Sequence, residues 1–528
     1  MRVTIKEDGW ISTGIIFLIS TVIAFVLIGR QVFFANWGII DDYAIFSFLG
    51  TNQHLPLSDF FHTLLTKTEV GDANYARFRP SYYFFMLLET VVWGRDVHLW
   101  YLARTLWFAL FIASLWWLLS KFVRIWLGAA LLLPILFLPF WGGVWARLGP
   151  SEIYGTLALA FMLFGIYATV NSKDEGKRKW AAALITFAAV LLIGSKETFI
   201  PLSGAAVVTL VFVGFTRRIP VWMAVSFSLV ICLYATGIVF VIQRSVLATK
   251  EDFYANAIDL RQLVGIATRA VNAALFSKGI AFAYAVAIFF FGYCAKRTKR
   301  NFRDWVISSA TIVVILIFMA LVYFSQQIAY RGELPLQTRY DFPALLFVPF
   351  SYYVLLCYVF YQLRFYFHPR ATNYISICLA LAIGAAYVPN FVDFQAKALP
   401  KAVSINIQKT NDFFREISAL AVFAKQAPQS PIILEAHDSD SYEALTSIPS
   451  YVRAMGVENP ISVRSHSAEN SRGTLFDRLE QRMKLLEAEG SDQFIALSKS
   501  LADPKRGCIS VGINGAASNA CTGFEVRT

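Results

Sequence analysis

Long apolar runs separated by short polar or basic clusters dominate the chain up to about residue 390. Most runs measure roughly 18 to 23 residues, close to the ~20 that an α-helix needs to cross about 30 Å of hydrocarbon. The pattern predicts a polytopic α-helical membrane protein with about eleven spans, of which the one from residue 180 is short. These spans fall at residues 10–28, 97–119, 123–141, 153–171, 180–194, 198–216, 220–241, 274–294, 305–324, 340–363 and 371–389.

The orientation of the spans depends on the segment from Pro80 to Gly94, which is apolar but short and contains Glu89. The first run follows MRVTIK without a small-residue cleavage site, which predicts an uncleaved span and a cytoplasmic amino terminus. If residues 80–94 do not cross, the basic clusters between the later spans all face the cytoplasm, as the positive-inside bias favours. We therefore predict a non-crossing segment within a first outer loop at residues 31–96.

This orientation places most charged residues that lie at helix ends on the outer face. Ionisable groups at membrane depth cost several kcal/mol unless they are paired or line a wet cavity, so their convergence predicts a functional site. The set comprises Asp41, Asp42, Arg77, Arg79, Arg147, Glu152, Lys196, Glu197, Arg331, Glu333 and Arg339.

The sequence becomes a mixed polar pattern after Pro389. Strand-like segments at PIILEA, PISVRS and CISVGI alternate with helical patterns, which predicts a small soluble α/β domain at residues 391–528, after a transmembrane domain at residues 1–390. Cys508 and Cys521 both fall in this region. In an oxidising compartment outside the membrane, they are candidates for a disulfide.

Composition supports the membrane class and excludes a soluble globular protein. Of the 528 residues, 57% are hydrophobic and 16% are charged, and the mean hydropathy is +0.54. The net charge of +12 does not indicate a nucleic-acid partner, because the basic residues form short clusters between apolar runs rather than one soluble basic face. The sequence contains no Walker loop, GxGxxG or HExxH motif.

The acidic pair Asp41–Asp42 lies inside the apolar stretch WGIIDDYAIF. Two adjacent carboxylates repel each other and lose hydration near lipid, which raises their proton affinity and suits a general base. A structural alternative is that the pair caps a helix beginning at Tyr43. One aspartate suffices for a cap, so we favour a functional role.

The order of these motifs resembles the GT-C superfamily of integral-membrane glycosyltransferases, which use polyprenyl-phosphate sugars. They include protein O-mannosyltransferases and the lipid A aminoarabinose transferase. An outer loop with an acidic pair is followed by Arg-Pro-aromatic at Arg79, R-x-G-P-x-E ending at Glu152, Lys196-Glu197, and Arg-Tyr-x-x-Pro from Arg339. The resemblance covers roughly residues 1 to 390.

The resemblance implies an inverting sugar transfer at the periplasmic face of a bacterial inner membrane. Asp41 or Asp42 would be the base, and the donor phosphate would bind Lys196 and Arg339, with Arg331 in reserve. The acceptor would be an envelope glycan, glycolipid or protein. Metal dependence stays open, because some members need a divalent cation such as Mg²⁺ or Mn²⁺ and others do not. Substrate-binding or supporting roles would fall to Glu152, Glu197, Arg77, Arg79 and Tyr340.

Several alternatives remain for these residues and for the protein. Glu152 could bind a hydroxyl or assist a metal, Glu197 could pair with Lys196 or an arginine, and both could simply neutralise buried charge. An O-antigen-type polymerase or ligase would use related lipid donors on the same face. A transporter is disfavoured, because it would place charges at the membrane midplane and contain broken helices.

Overall fold

The computed structural model describes most of the membrane region and parts of the carboxyl-terminal region. The described residues are 10–38, 42–49, 53–71, 77–249, 260–298, 302–330, 332, 334–336, 338–366, 369–387, 398–428, 432–436, 442–465, 509–511 and 517–518.

Helices make up nearly all of the described structure, in agreement with the apolar periodicity of the sequence. The first ten helices are α1 Trp10–Ile28, α2 Arg30–Phe34, α3 Asp42–Phe48, α4 Phe60–Thr66, α5 Pro80–Trp93, α6 Val97–Ser120, α7 Ile125–Leu136, α8 Trp141–Trp145, α9 Glu152–Asn171 and α10 Glu175–Ser195. The others are α11 Ile200–Phe215, α12 Val221–Thr249, α13 Leu260–Val271, α14 Ile280–Thr298, α15 Phe302–Ala329, α16 Phe347–Tyr366, α17 Pro369–Tyr387, α18 Leu399–Gln426 and α19 Tyr442–Ala454. Single 3₁₀ turns lie at Leu57–Asp59, Glu197–Phe199, Arg339–Asp341 and Ala344–Leu346, and a π turn at Asn272–Phe276.

Nine helices within the described residues are long and apolar enough to span a membrane, so the protein is a multi-pass helical membrane protein. They correspond to nine of the eleven predicted spans. The other two predictions match shorter apolar helices, Ile125–Leu136 and Ala371–Tyr387. At 1.5 Å per residue, the twelve residues of α7 extend only about 18 Å. The predicted run at 123–141 is therefore a short helix, a turn and the start of α8.

Two helices differ informatively from their sequence patterns. The span predicted from residue 180 begins earlier, at Glu175, because Asp174 caps α10 by accepting a hydrogen bond from Lys177 N at 3.0 Å. Helix α5 has 14 residues and extends about 21 Å. Because α7, matched above to a predicted span, is shorter still, this length does not test whether α5 crosses the membrane, and the non-crossing segment and the sidedness of the loops stay predictions.

Two hydrophobic clusters hold these elements together. The larger one fills the helical bundle around α6, α7, α9, α10 and α11. Large side chains on α12, α14 and α15, such as Leu233, Phe289 and Val314, remain exposed, as lipid-facing surfaces require. The smaller cluster packs α3, α5 and the start of α6 against α18 and α19. The carboxyl-terminal helices therefore cover the segment that contains Asp42.

A four-stranded sheet follows α18, with strands β1 Ile432–Ala436, β2 Ile461–Ser465, β3 Ile509–Val511 and β4 Ala517–Ser518. The order is β2-β1-β3-β4, and β1 is parallel to both β2 and β3, whereas β4 is antiparallel to β3. Gly456, with φ of +75°, follows the end of α19 in the left-handed conformation that glycine favours. The prediction of a separate soluble domain remains a prediction, and Cys508 and Cys521 lie outside the described residues.

Candidate active site

A cavity of about 110 Å³ lies where several helix ends meet. It combines residues from five stretches of the chain that are far apart in sequence. Six of the residues singled out from the sequence line it, namely Arg77, Arg79, Glu152, Lys196, Arg339 and Tyr340. Ala44, Glu69, Tyr82, Tyr83, Gly149 and Ser151 complete the wall. Four cations against two carboxylates make the lining net positive, which favours an anionic ligand.

Lys196 occupies the centre of this charge cluster. It directly follows the last residue of α10, and its Nζ donates to Oε1 of Glu152, the first residue of α9, at 2.5 Å. Glu152 is 1% exposed and Lys196 is 3% exposed. The Lys196 ammonium also lies 4.6 Å from the centre of the Tyr340 ring, and the Arg339 guanidinium lies 5.5 Å from the same centre. Tyr340 therefore brings two cations to one wall of the cavity through cation–π contacts.

Arg79 supplies the second ion pair of the site. Its Nε donates to Oε2 of Glu197 at 3.3 Å. Burial alone would lower the pKa of Arg79, but the attraction of Glu197 and then of Glu69 outweighs it and holds the pKa above its ordinary value. Arg79 therefore stays charged at every physiological pH. Of the two partners foreseen for Glu197, the arginine is the one observed.

Helix dipoles reinforce the positive potential. Helices α5 and α9 each begin at the cavity, directly after Arg79 and at Glu152. The amino-terminal end of a helix carries a partial positive charge and unpaired N–H groups. Two such ends near four cationic side chains favour the binding of an anion.

The loop that carries Arg339 is fixed by polar groups that the sequence did not single out. Gln326, near the end of α15, donates to the carbonyl oxygen atoms of Tyr340 and Phe342, and its Oε1 accepts from Ala344 N at 2.8 Å. Asp341 is fully buried and accepts from Leu336 N at 2.7 Å. These hydrogen bonds pair backbone N–H and carbonyl groups of an irregular segment, and such groups are costly to bury without a partner.

Gly143 permits the close approach of this loop to α8. A Cβ atom at that position would stand 3.0 Å from Arg339 N. The absence of a side chain at Gly143 therefore allows the Arg339 backbone to lie against α8. The sequence contains the pair Gly142-Gly143, but nothing in it indicates which loop packs there.

A buried ion pair lies behind the cavity and was not foreseen. Arg104, on α6, donates to both carboxylate oxygens of Glu89, on α5, at 2.7 and 2.8 Å. The Tyr154 hydroxyl donates to Glu89 and accepts from Arg104. Arg104 Nε also donates to Leu148 O at 3.3 Å. The pair thereby fixes the loop that leads to Glu152, although Arg104 looks in sequence like one charge inside a spanning helix.

Of the acidic pair, the structure describes Asp42. Asp42 is the first residue of α3 and is 2% exposed. Its Oδ2 accepts from Gly38 N at 2.9 Å, and it is not among the residues that line the cavity, whereas Ala44, two residues later, is. The helix expected to begin at Tyr43 begins at Asp42, and the hydrogen bond from Gly38 N to Asp42 comes from a residue that precedes the helix. Asp41 and Arg331 lie outside the described residues.

The remaining expectations concern a metal and Arg147. Within the residues that the structure describes, no group of three or more His, Cys, Asp or Glu side chains is placed to hold a metal ion. Arg147 is exposed and does not line the cavity. Glu69, which the sequence did not single out, does line it.

Comparison of the chain with known protein families, with curated proteins and with solved structures finds no match. The fold and the site therefore identify only the general class of protein. The protein is a multi-pass helical membrane protein with a cationic cavity at its helix ends.

Proposed function

We propose that the protein is an inverting glycosyltransferase that moves a sugar from a polyprenyl-phosphate donor to an envelope acceptor. The observation that carries the proposal is the cavity that joins Arg77, Arg79, Lys196 and Arg339 beside the helix that begins at Asp42.

The cations would act on the leaving group. As the acceptor oxygen forms a bond to the anomeric carbon, the bond from that carbon to the phosphate oxygen breaks, and the electron pair leaves with polyprenyl phosphate. Negative charge therefore grows on the phosphate in the transition state. Lys196 and Arg339, both in contact with the Tyr340 ring, are fixed where they stabilise that charge.

The acceptor hydroxyl needs a base to take its proton. Asp42 already accepts a hydrogen bond from Gly38 N and is almost fully buried. We therefore assign proton removal to Asp41, and the shaping of the segment to Asp42. Lipid-linked donors and the orientation deduced from the basic loops support a site on the periplasmic face of a bacterial inner membrane, with residues 391–528 as an outer α/β domain.

The direct test uses purified protein, a panel of synthetic polyprenyl-phosphate sugars and crude cell-envelope acceptor. We expect sugar transfer, a loss of at least about 100-fold in Asp41→Asn, as for other general bases, and a smaller loss in Asp42→Asn, whose amide oxygen can still accept from Gly38 N. Transfer only from diphosphate-linked glycans would instead favour a polymerase or ligase. Full activity in both variants would refute the base assignment.

A second test separates the phosphate site from general effects of charge removal. Lys196→Met should raise KM for the donor and lower kcat. Lys121→Met is a matched control, because the Lys121 ammonium also lies 4.6 Å from an aromatic ring centre, that of Trp117, but away from the cavity. Equal effects of the two substitutions would contradict the assignment of Lys196.

A further inference from the structure

The irregular backbone between α2 and α3, at Asn36–Gly38, is tied to residues from distant parts of the chain. Asn36 N donates to the Thr410 hydroxyl oxygen at 3.0 Å, across 374 residues of sequence. The Gly38 carbonyl oxygen accepts from the Tyr451 hydroxyl, across 413 residues. The same glycine donates its N–H to Asp42. One short segment therefore links Asp42 to both α18 and α19.

Aromatic packing reinforces the same link. The Tyr451 ring lies 4.6 Å from the Phe46 ring, and the Phe46 ring lies 5.5 Å from the Trp37 ring, measured between centres. On the other side, Phe413 of α18 lies 5.1 Å from Tyr451. All four rings are at most 5% exposed. Buried rings in this arrangement leave little freedom for the segment that they enclose.

We infer that Tyr451 and Thr410 are positioning residues, through which the carboxyl-terminal helices hold Asn36–Gly38 and Asp42 in the geometry needed for catalysis. The inference rests on the proposed function, and it gives α18 and α19 a role in the reaction.

The physical reason lies in what holds the segment in place. Asn36–Gly38 lies outside any helix, so no helical ladder fixes its backbone. Its position depends on the Thr410 and Tyr451 hydroxyl groups, together with Tyr101, whose hydroxyl donates to Asn36 O at 3.4 Å. A displacement of about 1 Å in a catalytic group can cost on the order of 100-fold in rate. Loss of one hydroxyl group at residue 451 should therefore affect transfer.

Three substitutions test the inference. Tyr451→Phe removes only the hydroxyl group that bonds Gly38 and retains the ring. Thr410→Val removes the acceptor of Asn36 N, whereas Thr410→Ser retains it and should restore activity. Tyr284→Phe is the matched control, because the Tyr284 hydroxyl also donates to a backbone carbonyl, that of Ser351, at 2.8 Å, and is buried in the helical bundle.

We expect Tyr451→Phe and Thr410→Val to lower kcat at least about tenfold with an unchanged donor KM, since the donor-binding cations remain in place. Thr410→Ser and Tyr284→Phe should stay within about twofold of wild type. Equal loss in Tyr284→Phe, or a rise in donor KM without a change in kcat, would overturn the positioning role.

Amide hydrogen exchange makes the result independent of the assay for sugar transfer. In Tyr451→Phe and Thr410→Val, peptides that cover residues 36–48 should exchange at least about tenfold faster than in wild type, whereas Tyr284→Phe leaves them unchanged. If the wild-type protein transfers no sugar but both variants still exchange faster than it does, the proposed function is refuted and the link is not. Unchanged exchange in both variants would refute the link itself.

Discussion

Removal of the Arg104 guanidinium should destabilise the protein more than any surface substitution. The Arg104 side chain is 1% exposed and that of Glu89 is 8% exposed, so Arg104→Met leaves a carboxylate buried without its cation. Breaking a buried pair from one side costs about 3–5 kcal/mol. The lost bond from Nε to Leu148 O adds about 1 kcal/mol. We therefore expect a loss of about 4–6 kcal/mol in the free energy of unfolding.

A double-mutant cycle separates the pair from its surroundings. Glu89→Leu combined with Arg104→Met removes both charges, and should cost less than Arg104→Met alone, because no carboxylate is left unpaired. The 13 tryptophan residues allow denaturant unfolding in detergent to be followed by intrinsic fluorescence.

An exposed pair provides the control. Lys179 Nζ lies 2.8 Å from Glu175 Oε1, but the two side chains are 42% and 62% exposed. Lys179→Met should leave the unfolding midpoint unchanged, because water replaces the lost partner. A loss below about 1 kcal/mol in Arg104→Met, or a double variant less stable than Arg104→Met alone, would refute the reasoning.

Two other predictions follow from the site and the topology. Gly143→Ala should lower sugar transfer about tenfold with an intact fold, because the added Cβ would press on Arg339 N. Gly265→Ala is the control and should leave activity unchanged, because the space around Gly265 is open. Equal activities of the two variants would show that the close approach of Gly143 to Arg339 does not matter for transfer. A reporter fused at residue 300 should give a cytoplasmic signal, and a periplasmic signal there would overturn the orientation deduced from the basic loops.

The sequence by itself determined the class of protein and most of the helices. Lipid imposes a local requirement, about 20 apolar residues for each span, that can be read from one stretch at a time. The same solvent argument singled out Arg79, Glu152 and Lys196, because an ionisable group near lipid needs a partner or a cavity. All three line the cavity. At residues 123–141, however, the apolar run did not reveal that α7 ends at Leu136.

Only the tertiary structure decided how the charged groups pair. Lys196 bonds Glu152 rather than its neighbour Glu197, which bonds Arg79 instead. Arg104 bonds Glu89 from an adjacent helix. Each of these pairings depends on which two helices pack against each other. The spans are similarly apolar, so the hydropathy of each span does not reveal which helices it packs against.

The acidic segment illustrates the same limit most clearly. Its sequence marks Asp42 as costly to bury, but Asp42 bonds Gly38, and Gly38 is held by Tyr451. A contact across 413 residues leaves no trace in local hydropathy or helix propensity. It arises from the packing of side chains in three dimensions, and only the folded chain specifies that packing.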